Sequence, residues 1–228
     1  LPAGQRLGPA ALGLAASLGL AQLRVLRRVR VACFSTGDEL QAPGERLRPG
    51  AIYDSNRFSI TAFLRRWGAE VEDLGAVPDD PARLRTTFVD AAARADIVLS
   101  SGGASAGDAD HTRRLLQELC ARSGGVAFWQ VAMRPGRPLV IGQLDRGDAG
   151  GAEAPALLFG LPGNPVAALV SCLLFVRPAL LRTMGCHDTA PPPMLRARLA
   201  HAIPGKRPGR AEYLRGTLDR GADGWPVA

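Results

Sequence analysis

The sequence predicts an α/β fold, with a parallel or mostly parallel sheet covered by helices on both faces. Three observations predict it. Between Val29 and Leu181, short apolar runs of strand length alternate with longer stretches whose apolar residues recur at helical spacing. The turns after the apolar runs are rich in Gly, Asp, Ser and Pro, the residues that connect strands to helices. A chain of 228 residues with 46% hydrophobic content suffices for one sizeable core and part of a second.

Each element follows from local chemistry. Pro9 to Gly19 reads as a short helix, with proline at its first position and glycine past its end. Val29 to Phe34 is the first strand and ends in the turn STGDEL, Ser35 to Leu40. Ile52 to Asn56 leads into RFSITAFLRRW, where Phe58, Ile60, Phe63, Leu64 and Trp67 fit one helix closed by Gly68. Ala69 to Val77 is the second strand, PDDP (Pro78 to Pro81) a turn, Pro81 to Arg94 a helix, and Ala95 to Leu99 the third strand. The loop SSGGASAGDAD, Ser100 to Asp110, then precedes a helix from His111 that carries Leu115, Leu116 and Leu119, with Asp110 as its N-cap. Val126 to Met133 and Leu139 to Leu144 read as strands around RPGRP, and Asp145 to Pro155 as a surface excursion. Leu157 to Phe159 makes a last buried strand, GLPGNP a turn, and Val166 to Leu181 one long apolar helix. Pro191 to Pro193 mark a boundary, after which short alternating segments read as the opening strands of a second, incomplete unit.

Bulk composition narrows the function. Lys+Arg 28 against Asp+Glu 21 gives a net charge of +7. The arginines are scattered as doublets (Arg27-Arg28, Arg65-Arg66, Arg113-Arg114) with no long basic run, so no nucleic-acid partner is expected. Cys33, Cys120, Cys172 and Cys186 lack CxxC spacing and read as reduced core residues of a cytoplasmic protein. No segment reads as a membrane span. Leu1 in place of an initiating methionine reads as the start of a processed or partial product.

In a doubly wound sheet, the loops after the strands' carboxyl ends gather on one edge, where ligands bind. Here those loops are STGDEL, PDDP, SSGGASAGDAD and GLPGNP. Thr36, Gly37, Ser100, Ser101, Gly102, Gly103, Ser105 and Gly107 supply hydroxyls and closely approachable backbone for a phosphate, beside the positive end of the next helix. Asp38, Glu39, Asp79, Asp80, Asp108 and Asp110 supply hydrogen-bond acceptors or metal ligands, and hard oxygen ligands of this kind suit Mg²⁺, which fills its shell with phosphate oxygens and water. Arg134 and Arg137, in MRPGRP, are guanidinium donors for an oxyanion. Each piece also has a structural reading: Asp54 or Ser55 as a helix cap, PDDP as a turn, Asn164 between prolines as a bend. Four such turns on one edge favour a ligand site.

Six motifs in order, FSTGDEL, YDSNR, PDDP, SSGGASAGDAD, FWQVAMRPGRP and GLPGNPV, make the chain resemble the molybdopterin molybdenumtransferases and their gephyrin-like relatives, over nearly the whole span from Arg6 to Gly185. The resemblance implies a three-layer α/β/α pterin-binding domain at residues 29–187. Residues 1–28 would be the remnant of a preceding region, and 194–228 the start of a carboxy-terminal β domain. It implies insertion of molybdate into molybdopterin-AMP with release of AMP, in a divalent-cation-dependent reaction. The implied enzyme is a cytoplasmic homodimer, acting beside other cofactor-synthesis enzymes. Carried over by motif, Asp79 and Asp110 would be the acidic residues needed for activity and for placing the metal, Mg²⁺. Thr36, Gly37, Asp38 and Glu39 would contribute to the substrate site, and Ser101, Gly102, Gly103, Ser105, Gly107 and Asp108 would hold phosphate. Asp54, Ser55 and Asn56 would stand at the pocket. Arg134, Pro135 and Arg137 would face molybdate, and Pro162, Gly163, Asn164 and Pro165 would line the pterin site. Gln130 and Arg134 stand where lysine is common in the family. An adenylyltransferase of similar unit and a gephyrin-type scaffold are the alternatives.

Overall fold

The computed structural model describes residues 1–102, 109–147, 154–203, 205 and 208–228, with backbone alone at 109 and 110. In chain order the first half comprises α1 (Pro9–Ser17), β1 (Arg30–Thr36), the two-residue β2 (Leu40–Gln41) and β3 (Ile52–Tyr53), α2 (Asn56–Arg66), β4 (Glu70–Val77), α3 (Pro81–Arg94) and β5 (Ile97–Ser101). The second half comprises α4 (Ala109–Cys120), β6 (Val126–Gln130), β7 (Met133–Arg134), β8 (Pro138–Leu144), β9 (Ala156–Leu161), α5 (Pro165–Ser171), a π-helical stretch (Cys172–Val176) and α6 (Arg177–Thr183). Short strands β10 (Ala211–Glu212), β11 (Asp219–Arg220) and β12 (Pro226–Val227) follow. Six strands form the central sheet in the order β4-β1-β5-β9-β8-β6. Neighbours among β4, β1, β5 and β9 pair in parallel, whereas β8 runs antiparallel to both β9 and β6. The sheet is mostly parallel, as the sequence predicts.

Side-chain alternation along the strands explains the three layers, because successive residues point to opposite faces. On β1, Val31 and Cys33 join Ile97, Leu99, Phe159 and Leu161 against Ile60 and Leu64 of α2 and Cys172, Val176 and Leu180 beyond α5. The intervening Ala32 and Phe34 join Val98, Val140 and Leu158 against Leu84 and Phe88 of α3 and Leu115, Leu116 and Cys120 of α4. Phe34 meets Phe88 edge to face at 5.1 Å, so the two rings fix α3 over β1.

All four cysteines are free and buried. Burial pushes the thiols of Cys33 and Cys172 up to about 12 and that of Cys120 to about 11. The folded chain is therefore expected to show no fast phase of thiol labelling at mildly alkaline pH, and all four cysteines to react once it is unfolded in guanidinium. A fast native-state phase would contradict this packing.

Several expectations are corrected. The strand foreseen from Val126 to Met133 is broken after Gln130, because Met133 N–H turns back to the Val131 carbonyl at 2.8 Å and Val131 N–H takes the Arg137 carbonyl at 2.7 Å. What remains, β7, pairs in parallel with β10 instead. The long helix after GLPGNP is not uniformly α-helical. Its π-helical stretch lies just before Pro178, whose ring lacks an N–H and crowds the carbonyl four residues earlier. From Pro165 to Thr183 this segment is long and apolar enough to cross a bilayer, contrary to the expectation that no segment is. Its Ala168, Cys172, Val176 and Leu180 are buried against the sheet, so it is a core helix of the α/β layer. The excursion after Asp145 is partly packed: Arg146 is buried and bonds to Asp96 at 3.1 Å and to the Ala154 carbonyl at 2.8 Å. Residues 148–153 of it lie outside the described residues.

Candidate functional site

The carboxyl ends of β1, β4, β5 and β9 meet on one edge, and side-chain hydrogen bonds lace their loops together. Thr36 Oγ1, at the end of β1, donates to Asp79 Oδ1 after β4. Asp79 N–H donates to Asp38 Oδ1 at 3.2 Å. Across the edge, Asn56 Nδ2 donates to Ser101 Oγ at 2.9 Å and to the Gly163 carbonyl at 2.8 Å, so the start of α2 touches the loops of both β5 and β9. Gly102 N–H reaches the Leu161 carbonyl at 3.2 Å. Gly102 has φ +97°, and a Cβ built there would lie 2.1 Å from the Thr36 carbonyl oxygen. The backbone approach requires glycine.

Beside these loops, on the α3 and α4 side of the sheet, opens a cavity of about 320 Å³. Its lining runs from Leu84, Phe88, Leu116, Phe128 and Val140 to Thr36, Ser100, Gly102, Thr112, Gln130 and Arg137. The Arg113 guanidinium sits 4.7 Å over the Phe128 ring, and Arg137 Nη2 donates to Gln130 Oε1 at 2.5 Å. An apolar floor with two guanidinium groups at the rim suits a planar ring carrying an anionic group. Thr112, Arg113 and Phe128 were not among the site residues expected from sequence, although Arg113 stands in a scattered doublet and Phe128 opens the motif FWQVAMRPGRP. The cue was there in Phe128 and Gln130, which alternate along β6 and share a sheet face.

The structure distributes the expected residues unevenly. Thr36, Ser101 and Gly102 lie at the laced edge, with Gly37, Asp38, Glu39 and Asp79 in the adjoining loops. Of the PDDP pair, Asp80 caps α3 by accepting from Arg83 N–H at 2.8 Å, which leaves Asp79 turned to Thr36. Asp54 does not open to a pocket. It is 1% exposed, accepts from Ser35 Oγ at 3.0 Å and forms an ion pair with Arg57 Nε at 2.8 Å. Arg57 also grips Asp73 at 2.5 Å. Burial opposes both charges, yet the bonds prevail, raising the Arg57 pKa and holding the Asp73 carboxyl below its usual range. Ser55 occupies the N-cap position of α2 without a side-chain cap bond.

Pro162, Gly163, Asn164 and Pro165 form the turn into α5, where Asn164 Oδ1 accepts from Ala167 N–H at 3.0 Å as a cap and Pro165 takes the first helical turn. Arg134 and Arg137 part company: Arg134 lies on β7 and lines a separate cleft with Arg210 and Glu212, whereas Arg137 lines the main cavity. Pro135 follows Arg134 through a cis peptide. Gly103, Ser105, Gly107 and Asp108 lie outside the described residues. Asp110 falls on the second residue of α4, not at its N-cap, because the helix begins at Ala109. Among the described residues no three His, Cys, Asp or Glu side chains form a metal-holding group.

The family described as "Probable molybdopterin binding domain" matches residues 32–182. "Molybdopterin molybdenumtransferase" of Haemophilus influenzae is 39% identical over 216 residues, covering 95% of this chain and 50% of that protein. "Molybdopterin molybdenumtransferase 2" of Mycobacterium tuberculosis is 41% identical over 221 residues, covering 96% and 52%. The solved molybdopterin biosynthesis moea protein of Pyrococcus horikosii superposes with a TM-score of 0.70 at 32% identity, over 88% of this chain and 46% of that one. The chain spans about half the length of the curated relatives it matches. Since the match runs from β1 into α6 and takes in the sheet with both helical layers, the chain belongs to the molybdopterin-binding domain family.

Proposed function

We propose that this chain carries the substrate-binding part of an enzyme that inserts molybdate into adenylylated molybdopterin and releases AMP. The observation that carries the reading is the meeting of three kinds of chemistry on one edge: the Thr36–Asp79–Asp38 network, the close backbone at Gly102, and an apolar cavity rimmed by Arg137. Relatives named molybdopterin molybdenumtransferase support it. The ring system enters the cavity and its phosphates meet the Ser100 hydroxyl beside the closely approachable Gly102. Arg137 faces the anions, where a fixed guanidinium offsets the charge that builds as the dithiolene sulfurs bond to molybdenum, the displaced oxo groups take up protons and leave as water, and water cleaves the phosphoanhydride to release AMP.

A divalent cation fits the donor set. Asp38 and Asp79 present hard carboxylate oxygens on adjacent exposed loops, and Mg²⁺ needs only one or two of these when phosphate and water complete its shell. When bound it would supply Lewis-acid stabilisation of phosphate oxygen. Asp110 shares this role by resemblance. On this reading the native protein is a cytoplasmic homodimer working beside other cofactor-synthesis enzymes.

The test is molybdate-dependent AMP release from adenylylated pterin by the native protein. Asp79→Asn and Asp110→Asn are each expected to lower the rate by about 100-fold, the scale of losing a ligand-placing carboxylate. Wild-type rates in both variants would reject the assignment. ATP-dependent adenylylation of the pterin without molybdate-dependent release would reject the reaction itself.

A further inference from the structure

We infer that Arg113 is a substrate-binding residue: held on the Phe128 ring, its guanidinium takes the second phosphate of a phosphoanhydride whose first phosphate meets Ser100. The inference rests on the reading that this cavity holds the adenylylated pterin, in which two phosphates are joined. Four lining residues set the width of the site. Ser100 pairs with Gly160, Gly160 with Val140 and Val140 with Phe128, so they form one row across β5, β9, β8 and β6. Paired residues project to the same face, and three strand spacings put about 14 Å between the ends of the row. Gly160 leaves the middle without a side chain, where a Cβ would stand 2.9 Å from Val140 Cβ and 3.7 Å from Ser100 Oγ.

The two ends of the row carry different donors. At the β5 end stand the Ser100 hydroxyl and Gly102. At the β6 end two arginines converge, each on a residue of the same strand face. Arg113, from α4, lies 4.7 Å over the Phe128 ring, and Arg137 Nη2 donates to Gln130 Oε1 at 2.5 Å. Neither holder is charged, so each guanidinium keeps its full charge for a ligand. Among the described residues Arg113 meets only the ring, with no carboxylate or carbonyl on its N–H groups, and no acidic side chain lines the cavity. Its donors, at an exposed rim, are left for an anion. One phosphate cannot touch both ends of the row, whereas a phosphoanhydride reaches from the hydroxyl across to the guanidinium. The cavity thereby selects joined phosphates over a single one.

AMP and ADP are the probes, with divalent cations chelated so that the phosphates are bare. Calorimetric titration of the native protein is expected to show ADP binding about tenfold tighter than AMP. ADP can use both ends of the row and AMP only one, so deleting either end leaves both nucleotides with the end that remains. Ser100→Ala and Arg113→Ala are each expected to bring the two affinities within about threefold of each other. Adenosine has no phosphate, and its affinity in Arg113→Ala is expected to stay within about twofold of wild type. Phe128→Leu leaves Arg113 charged but removes its support. It is expected to weaken ADP about threefold, and to add little in an Arg113→Ala background.

Equal affinities for ADP and AMP in wild type would overturn the inference, as would an ADP preference that Arg113→Ala leaves unchanged. So would fully additive losses for Phe128→Leu and Arg113→Ala, or a loss of adenosine binding in Arg113→Ala as large as its loss of ADP binding. Should Ser100→Ala fail to fold by circular dichroism, Arg113→Ala, at an exposed position, carries the comparison. ADP preference as expected, with no molybdate-dependent AMP release, would sink the proposed reaction alone. Wild-type protein that binds neither nucleotide would overturn both.

Discussion

Gly102→Ala is expected to destabilise the folded chain by about 3 kcal/mol, combining strain at a positive φ with overpacking against backbone. The added methyl would stand 2.1 Å from the Thr36 carbonyl oxygen, and the backbone at φ +97° is one that alanine rarely adopts. No flexible side chain can swing away, so β1 and β5 must separate where they end. At roughly 2–4 °C per kcal/mol for a chain of this size, the melting temperature should drop by roughly 6–12 °C. Because Thr36 also holds Asp79, AMP affinity should fall with it. Thermal unfolding followed by circular dichroism checks the first effect, and a melting temperature equal to wild type would show that the two strands are not so close.

Asp96→Ala should be nearly as damaging, at the far end of the sheet. The Asp96 carboxylate is 7% exposed and receives Arg27 at 2.6 and 2.8 Å, the Arg30 backbone N–H at 2.8 Å and buried Arg146 at 3.1 Å. Burial alone would raise its pKa, but the Arg27, Arg30 and Arg146 bonds outweigh it and hold the carboxyl well below the usual range. Arg27 and Arg30 are about half exposed, so the cost of removing their acceptor is discounted to about 2–3 kcal/mol, below the full value for a buried pair. The pH dependence follows from the direction of the shift. A depressed folded-state pKa gives stability that is fully present above the unfolded value, about 3.9, and lost as pH falls through the lower folded value. Wild type should therefore lose stability in that acid window, while Asp96→Ala should show a shallower loss in urea titrations across the same range. Equal slopes for the two would refute the assignment. AMP affinity near neutrality should not change, because Asp96 lies at the opposite end of β5 from the cleft.

The layers were legible because periodicity carries them. Val31, Cys33, Ala32 and Phe34 announce a strand buried on both faces, and Phe88 and Leu84 recur at helical spacing to meet it. The break after Gln130 was not legible, because FWQVAM is apolar apart from Gln130 and the turn that interrupts it is made by backbone bonds from Val131 and Met133. At the site, glycine and carboxylate loops pointed to the edge where the hydrogen-bonded loops and the cavity lie, since turn chemistry is local. Turn chemistry alone did not sort Asp79 from Asp80, which only the family resemblance set apart, or separate Asp54 from its neighbours. Those roles are decided by partners far along the chain: Thr36 for Asp79, and Ser35 with Arg57 and the surrounding core for Asp54.

The reversed direction of β8 has a further bearing on how this fold can diversify. In the parallel part of the sheet, a loop reaches the edge beside the cavity only by following a strand, so changing it also changes the entry to a core helix. Because β8 runs the other way, the segment that precedes it arrives at that same edge and brings Arg137 with it. Residues 131–137 carry β7 between β6 and β8 without leading into a helix, and can be recharged while every parallel register of the central sheet stays as it is. Among the described parts of the edge, this is where a new anion preference can be built at the least cost to folding.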